Sequence, residues 1–268
     1  MLPERDGDGF GAVRGADLAE EGDDVLLHHV ERDAELPGDV AVGEASDHRG
    51  EDLGLARREL GDGRIVLPLS LFEKGDEAGA LTCSVSDDDG RTWRRTCAPF
   101  KTFAADGTRV MTQEPGVVEL KDGRLLMWAR TLSGRQWACT SSDRGETWSK
   151  GEPWTLVSPL SPATVVRLRN GDLLAVWNDH ESHPEIAAEK QLYGGTRRPL
   201  TLAVSKDEGR TWIHRLTLED DPGHSRGWYC YFAALEQDDA LLLAYCAEQW
   251  LQRSRVVRMP LARLYAAP

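Results

Sequence analysis

A pattern of eight residues that occurs three times constrains the fold of this chain more than any other feature of its sequence. Each copy reads Ser-x-Asp-x-Gly-x-Thr-Trp, and the copies cover residues 86–93, 141–148 and 205–212. Three matches to five fixed positions are not expected by chance in 268 residues, so we interpret the chain as a repeat protein. We call each copy a clip.

The residue types of the clip predict a tight turn between two strands. An Asp carboxylate accepts hydrogen bonds from the backbone N–H groups of its own turn, and Gly adopts the positive φ that other residues resist. The Trp buries a large flat face and keeps one N–H for a partner. None of these roles needs a substrate, so we interpret the clip as structural.

Polar turns followed by apolar runs form a second recurring element. The turns are Asp62-Gly63-Arg64, Asp122-Gly123-Arg124, Asn170-Gly171-Asp172 and Asp238-Asp239. Asp-Gly and Asn-Gly between apolar runs are strong signals for β-hairpins. One module is predicted in full, with strands over residues 115–120, 124–131, 136–141 and 147–154. The module over residues 162–218 repeats this plan with a long insert, residues 180–198, between its second and third strands.

Four-stranded antiparallel modules of about 45–60 residues are typical of β-propeller blades. We therefore predict an all-β chain, with about five such modules in a single β-propeller domain over residues 1–268. Residues 1–53 are expected to form a divergent or truncated first module, and residues 54–265 the blades that carry the clips. The last module, residues 227–265, shows three strands and no clip, so we expect the N-terminal segment to supply a strand that closes the ring.

Charge, cysteine count and the N-terminal residues narrow the possible partners and location. A formal net charge of −13 argues against nucleic acid and against an anionic membrane surface as main partners. The five cysteines are odd in number and lack the paired spacing of metal ligands, so we expect reduced thiols. The N-terminus has no apolar run, so we expect neither a signal peptide nor a membrane helix. For the chain as given, this predicts a cytoplasmic location.

The long insert contains one candidate metal site. His180, His183 and Glu185 lie close together in sequence, but His-x-x-His on a loop without a third placed ligand is more often polar surface. We therefore expect no metal site and no organic cofactor.

Three clips on a propeller resemble the Asp-box (BNR) repeats of the six-bladed sialidases, also called neuraminidases. The resemblance covers most of residues 54–265. It implies an Arg triad that holds the sugar carboxylate, a nucleophilic Tyr, a Glu that activates this Tyr and an Asp that acts as general acid. The sugar carboxylate would repel an anionic nucleophile, whereas a neutral Tyr can approach, and Arg forks bind carboxylates through two parallel hydrogen bonds.

The resemblance assigns these roles residue by residue. Residues 113–120 look like the segment of the Tyr-activating Glu, which places Glu114 in that role. Arg130, at the end of a predicted strand, and Arg197, which we prefer over Arg198, are implied to bind the carboxylate. Residues 229–235 resemble the strand that begins with the nucleophile. Apolar spacing favours Tyr229 for this role, with Tyr231 as the second choice.

Two features of the family pattern have no clear match. The first blade of the family carries a triad Arg in an Arg-Ile-Pro-like segment, and neither Arg5 nor Arg14 has such surroundings. Asp33 and Asp39 are candidates for the acid. The Glu that normally follows the Tyr strand is also absent, since Cys246 follows Tyr245 and Glu248 comes two residues later.

The resemblance implies a sialidase-like glycoside hydrolase that cleaves a terminal acidic sugar, sialic acid, with retention. Its partner would be a sialoglycoconjugate or a related acidic carbohydrate, and the protein is expected to be a monomer. Two alternatives stay open: a non-catalytic Asp-box propeller that binds carbohydrate or protein, and a glycosidase for another sugar acid such as a uronic acid.

Overall fold

The strands of this protein lie in antiparallel sheets that follow one another along the chain. The computed structural model describes residues 58–60, 63–187, 196–220, 228–247 and 253–267. These residues form three four-stranded sheets, one three-stranded sheet and one two-stranded hairpin, all of them antiparallel. The two helices of the described residues are short, α1 (Pro184–Ala187) and α2 (Leu261–Tyr265).

Each larger sheet is built from strands that are consecutive in sequence. The first sheet contains β1 (Arg58–Glu59), β2 (Ile65–Glu73), β3 (Asp76–Ser86) and β4 (Arg94–Arg95), and the hairpin β5 (Thr102–Phe103) and β6 (Arg109–Val110) follows it. The second sheet contains β7 (Gln113–Glu119), β8 (Leu125–Arg130), β9 (Arg135–Ser141) and β10 (Glu152–Val157). The third contains β11 (Thr164–Arg167), β12 (Leu173–Asn178), β13 (Leu200–Ser205) and β14 (Ile213–Glu219). The fourth contains β15 (Cys230–Gln237), β16 (Ala240–Ala247) and β17 (Arg253–Pro260).

These sheets confirm the predicted all-β class and the plan of four antiparallel strands. One boundary was wrong, because the fourth strand of the second module was expected from residue 147 and begins at Glu152. The reason is that Thr147 and Trp148 belong to the clip. The sheets do not close into a ring within the residues that the structure describes. The predicted first module and its closing strand fall in residues 1–57, outside this part of the chain.

Each clip closes its turn with the same hydrogen bonds. In the third clip, Ser205 Oγ donates to Asp207 Oδ1 at 2.8 Å and accepts the N–H of Gly209 at 2.8 Å. Asp207 also accepts the N–H and the hydroxyl of Thr211, at 2.8 and 2.6 Å. Gly209 has a φ of +80°, as the clip requires. The corresponding residues of the other two clips make the same contacts.

Apolar clusters fill the spaces between consecutive sheets. Because neighbouring residues of a strand face opposite sides, Val117 of β7 packs toward the first sheet and Val118 packs toward the third. The third clip reaches the second sheet through Trp212, whose Nε1 donates to Thr155 Oγ1 at 2.9 Å and whose ring lies edge-on to Trp154. The repeats therefore stabilise one another, as expected of an architecture in which no module buries its faces alone.

All five cysteines lie in the part of the chain that the structure describes. All five cysteines are free thiols, and Cys83, Cys139 and Cys230 are buried. Burial raises the pKa of Cys83 and of Cys139 to about 12, so both thiols stay protonated at neutral pH. No helix of the described residues is long and apolar enough to span a membrane.

Candidate active site at one edge of the sheets

Antiparallel pairing brings four of the predicted site segments to one edge of the sheets. At this edge, which we call the site edge, β7, β13 and β15 begin and β8 ends. Gln113 pairs with Arg130 across β7 and β8, so Glu114 lies beside that arginine. Arg197 precedes β13, and Tyr231 is the second residue of β15. The first strands of the second, third and fourth sheets contact one another in sequence order, which brings β7 and β15 to the same region.

The backbone is distorted at two of the site residues. The register of β7 with β8 shifts between Gln113 and Gly116, and that of β15 with β16 shifts between Cys230 and Ala233. Within these irregularities Glu114 and Tyr231 have φ values of 48° and 55°. Positive φ is uncommon for such residues, and β-bulges of this kind redirect side chains next to active sites. The bulges explain why both side chains leave their sheets at the same edge.

Tyr231, Glu114 and Arg130 form one hydrogen-bonded group. The Tyr231 hydroxyl donates to Glu114 Oε1 at 3.3 Å, and Arg130 Nη2 lies 3.0 Å from the same oxygen. Gln113 Oε1 accepts hydrogen bonds from Arg130 Nε at 3.2 Å and Nη2 at 2.7 Å. Tyr231 is 45% exposed, whereas the Arg130 side chain is only 12% exposed. The accessible phenol of Tyr231 therefore contacts the Glu114 carboxylate. The negative charge of this carboxylate is partly balanced by the Arg130 guanidinium, which Gln113 holds in place.

Charges around Tyr231 act on its pKa in opposite directions. Burial, and then the negative charge of Glu114, raise the pKa of the phenol above its usual value, while Arg130 and Arg197 counteract this effect. The phenol is therefore neutral over the physiological range. The same interactions locate both arginines within electrostatic reach of Tyr231.

Arg197 lies deeper than the other site residues. It is 7% exposed, and its guanidinium lies over the ring of Trp228, 4.5 Å from the ring centroid. Its main-chain carbonyl accepts the N–H of Tyr229 at 2.9 Å. Arg198 contacts Asp220 instead, with Nη1 3.1 Å from Oδ1. Of these two neighbours, Arg197 is thus the one whose charge acts on Tyr231.

The structure places Tyr229 in the core rather than beside Glu114. Tyr229 is 4% exposed and packs edge-on against Tyr245, with ring centroids 6.4 Å apart. The sequence favours Tyr229 because Phe232 and Leu235 then fall where the sialidase pattern has apolar residues. The bulge after Cys230 breaks the regular alternation of the strand and turns Tyr231 outward.

Other candidates named from the sequence take different positions. Arg5, Arg14, Asp33, Asp39 and Glu248 lie outside the described residues. His180 Nε2 is 2.9 Å from the carbonyl oxygen of Thr196, so this imidazole joins the two ends of the insert. In the part of the chain that the structure describes, no three His, Cys, Asp or Glu side chains form a group that could hold a metal ion.

Gln113 is a site residue to which sequence reasoning gave no role, and Trp228 is one whose contact with Arg197 it did not predict. Gln113 holds Arg130, and it immediately precedes Glu114 in the segment that resembles the family. Trp228 stacks on Arg197, although the third clip separates the two residues in sequence. No local pattern predicts a contact across a clip, so only the folded chain reveals this pair.

The comparisons with known proteins give one matching family and several similar proteins. The family model described as "BNR repeat-like domain" matches residues 52–244. The chain is similar to the anhydrosialidase of Macrobdella decora, with 28% identity over 159 residues that cover 59% of this chain and 19% of that protein. The chain thus spans about a fifth of the length of this curated relative.

Two solved structures show the same type of fold. The sialidase of Trypanosoma rangeli in complex with 2,3-difluorosialic acid has a TM-score of 0.57 and 18% identity, covering 77% of this chain and 31% of that chain. The intramolecular trans-sialidase of Ruminococcus gnavus in complex with oseltamivir carboxylate has a TM-score of 0.55 and 19% identity. The match covers 79% of this chain and 44% of that chain. At these identities the similarity concerns the fold alone.

Proposed function

The chain belongs to the BNR repeat-like domain family, and on that premise we propose that it is a sialidase-like glycoside hydrolase that cleaves a terminal sialic acid with retention. The single observation that carries this proposal is the contact of the exposed Tyr231 hydroxyl with Glu114, 3.3 Å apart. A Tyr nucleophile with a Glu partner suits a substrate whose own carboxylate repels an anionic nucleophile. We therefore assign the nucleophile to Tyr231 and not to Tyr229.

The first chemical step transfers the sugar to Tyr231. The phenol oxygen attacks the anomeric carbon while its proton passes to Glu114, and the bond from that carbon to the aglycone oxygen breaks. The departing oxygen takes a proton from a general acid, for which Asp33 and Asp39 remain the candidates. Water then attacks the same carbon and gives its proton to the acid's conjugate base. The Tyr231 oxygen leaves and regains its proton from Glu114, so two inversions give overall retention.

Arg130 and Arg197 are proposed to bind the sugar carboxylate. Arg130 Nη1 and Arg197 Nε are buried and have no hydrogen-bond partner within the described residues. Buried donors of this kind are costly unless a ligand or water satisfies them. A carboxylate accepts two parallel hydrogen bonds from a guanidinium. Trp228 keeps Arg197 in a fixed orientation, and Gln113 does the same for Arg130.

We also propose that the sheets are consecutive blades of a closed propeller around the site edge. The successive contacts of β7, β11 and β15 support this arrangement, because first strands line the axis of a propeller. Small-angle scattering from the full chain would give the profile of a closed disc. The profile of an open arc would contradict closure.

A fluorogenic sialoside with an activated leaving group tests the proposed reaction. Wild type is expected to hydrolyse this substrate. The rate should fall at least about a thousandfold in Tyr231→Phe and about a hundredfold or more in Glu114→Gln. Tyr229→Phe, the matched control, is expected to keep most of the activity, because Tyr229 lies in the core. Incubation with 2,3-difluorosialic acid followed by peptide mapping should locate the covalent adduct on Tyr231.

The outcomes separate the candidate functions. An adduct on Tyr229, or full loss of activity in Tyr229→Phe with a folded protein, would contradict the assignment of Tyr231. Wild type that binds sialic acid without turnover would instead support a carbohydrate-binding propeller. Turnover of a uronide but not of a sialoside would indicate another sugar acid as substrate.

A further inference from the structure

Asn178 is a buried polar residue to which the mechanism above gives no task. It ends β12, as Arg130 ends β8, and it pairs with Leu200 at the start of β13. Its exposure is 0%. A fully buried amide at this position is costly unless it makes hydrogen bonds, so its contacts indicate why the chain keeps it there.

The amide nitrogen of Asn178 contacts main-chain carbonyl oxygens from two separate segments. Nδ2 lies 2.8 Å from the carbonyl oxygen of Arg197, 3.3 Å from that of Pro199 and 3.2 Å from that of Tyr229. The carbonyl of Arg197 also accepts the N–H of Tyr229 at 2.9 Å. One amide group therefore joins the segment before β13 to the segment before β15.

These two segments carry the proposed carboxylate ligand and the proposed nucleophile. Arg197 lies in the first, and Tyr231 follows Tyr229 by two residues in the second. The stacking of the Arg197 guanidinium on Trp228 joins the same segments a second time at the level of side chains. The position of Arg197 relative to Tyr231 is thus set by this stacking together with the main-chain contacts of Asn178.

We propose that Asn178 is a positioning residue that sets the distance between the carboxylate-binding Arg197 and the nucleophile Tyr231. This inference rests on the proposed function, because it assigns a task within the same site. Asn178 touches no substrate and acts through the backbone. A misplacement of about 1 Å in an active site costs on the order of a hundredfold in rate, so loss of its donors should reduce catalysis without unfolding the protein.

Two matched variants separate this role from a general effect of the substitution. Asn178→Asp and Asn170→Asp make the same change of amide to carboxyl. Asn170 lies in the exposed turn at the opposite end of β12, where it contacts Asp172 and Tyr265. Asn178→Leu removes the donors without introducing charge and serves if Asn178→Asp does not fold.

The kinetic measurement is KM and kcat for the fluorogenic sialoside, together with the labelling rate of Tyr231 by 2,3-difluorosialic acid. For Asn178→Asp, and for Asn178→Leu where it replaces that variant, we expect KM to rise at least fivefold and the labelling rate of active protein to fall at least tenfold. Asn170→Asp should change neither by more than twofold. A purely structural role would lower the active fraction and leave KM and the labelling rate of the remaining active sites unchanged, and that result would overturn the proposal.

Hydrogen exchange gives a second measurement that does not depend on activity. The N–H of Tyr229 donates to Arg197, so Asn178→Leu should exchange faster at residues 228–232 than wild type or Asn170→Asp, with β16 unchanged. Equal exchange in all three proteins would also overturn the proposal. If wild type shows no turnover and no labelling while this exchange difference is present, the proposed function fails and the role of Asn178 in joining the two segments stands.

Discussion

Two residues at the site edge combine unusual backbone conformations with complementary chemistry. Glu114 and Tyr231 have φ values of 48° and 55°, and each lies where strand pairing is irregular. Backbone conformations of this kind cost about 1–3 kcal/mol and persist where the surrounding structure enforces them, often at functional sites. The strained backbone, the 3.3 Å contact and the nearby arginines therefore point to the same two side chains.

The first prediction, at this scale, concerns the ionisation of Tyr231. Burial, followed by the charge of Glu114, raises the pKa of the phenol. Removing that charge in Glu114→Gln should lower the pKa of Tyr231, so tyrosinate forms at a lower pH than in wild type. The measurement is the tyrosinate absorbance during alkaline titration, with Glu114→Gln/Tyr231→Phe as the reference that lacks this phenol. An unchanged or higher pKa in Glu114→Gln would contradict the contact.

At the scale of single elements, the clip and the close pairing of strands carry much of the architecture. The clip satisfies its own backbone groups within eight residues, which is why the same sequence gives the same turn three times. The strands beside it are held by close packing. A Cβ added to Gly116 would lie 2.3 Å from the Trp128 ring in the neighbouring strand β8. The Trp128 ring therefore leaves no room at position 116 for a side chain larger than hydrogen.

The second prediction concerns the carboxylate of the third clip. Although burial opposes ionisation, hydrogen bonds from Thr211 and Ser205 lower the pKa of Asp207 to about 2 from an ordinary value of 3.8. A lowered folded-state pKa means that stabilisation is present above pH 4 and is lost as the pH falls toward 2. Asp207→Ala should lower the free energy of unfolding by about 1–2 kcal/mol at pH 7.

Denaturant unfolding at several pH values checks this prediction. The difference in the free energy of unfolding between wild type and Asp207→Ala should shrink steadily as the pH falls from 4 to 2. Substitution of the exposed Lys206 by Ala, one residue earlier in the same clip, is the control and should change stability by less than about 0.5 kcal/mol. A difference that is independent of pH would mean that the charge of Asp207 does not support the turn.

The third prediction concerns the packing of β7 against β8. Gly116→Ala forces a methyl group into the Trp128 ring, and overpacking of this kind costs about 1–3 kcal/mol. Gly123→Ala has open space around the added methyl group but a φ of +81°, so it should cost only about 1 kcal/mol through backbone strain. Urea unfolding of both variants gives the comparison. A smaller loss in Gly116→Ala than in Gly123→Ala would show that the strands move apart easily.

At the scale of the whole molecule, acidic residues join each sheet to the next. Glu146 of the second clip contacts Arg64 of the first sheet at 2.8 Å. Glu208 of the third clip accepts the N–H of Lys121 in the second sheet at 2.8 Å. Glu236 of the fourth sheet accepts the N–H of Arg169 in the third at 2.6 Å. A glutamate side chain thus accepts a hydrogen bond at three successive sheet boundaries, from a guanidinium at the first and from main-chain N–H groups at the other two.

The fourth prediction compares the contact of Glu208 with Arg167 Nη2, at 2.7 Å, with the contacts of Glu146. The Glu208 and Arg167 side chains are 20% and 17% exposed. Glu146 is 36% exposed and contacts both Arg64, which is 10% exposed, and Arg94, which is 51% exposed. Ionic contacts stabilise more when they are shielded from water, so Glu208→Ala should lower the free energy of unfolding by about 1–2 kcal/mol and Glu146→Ala by less than about 1 kcal/mol. Thermal unfolding in low and high salt measures both. An equal or larger loss in Glu146→Ala would indicate that exposure does not decide the strength of these contacts.

The sequence by itself determined the elements whose interactions are local. The clips, the turn before each apolar run and the alternation along strands predict the antiparallel sheets, because each pairing joins segments that are close in sequence. The segments of Glu114, Arg130 and Arg197 also follow from the resemblance to sialidases. The start of one strand differs by five residues, because Trp148 belongs to the clip and β10 begins at Glu152.

The tertiary structure alone decided which side chains meet at the site edge. The choice between Tyr229 and Tyr231 depends on a bulge that interrupts the alternation of side chains between the two faces of the strand. The residue types of β15 do not predict this bulge. The contacts of Arg197 with Trp228, and of Asn178 with both of their segments, join residues separated by a clip or a long insert. Local patterns carry no information about such distant pairs, because packing between whole sheets brings them together.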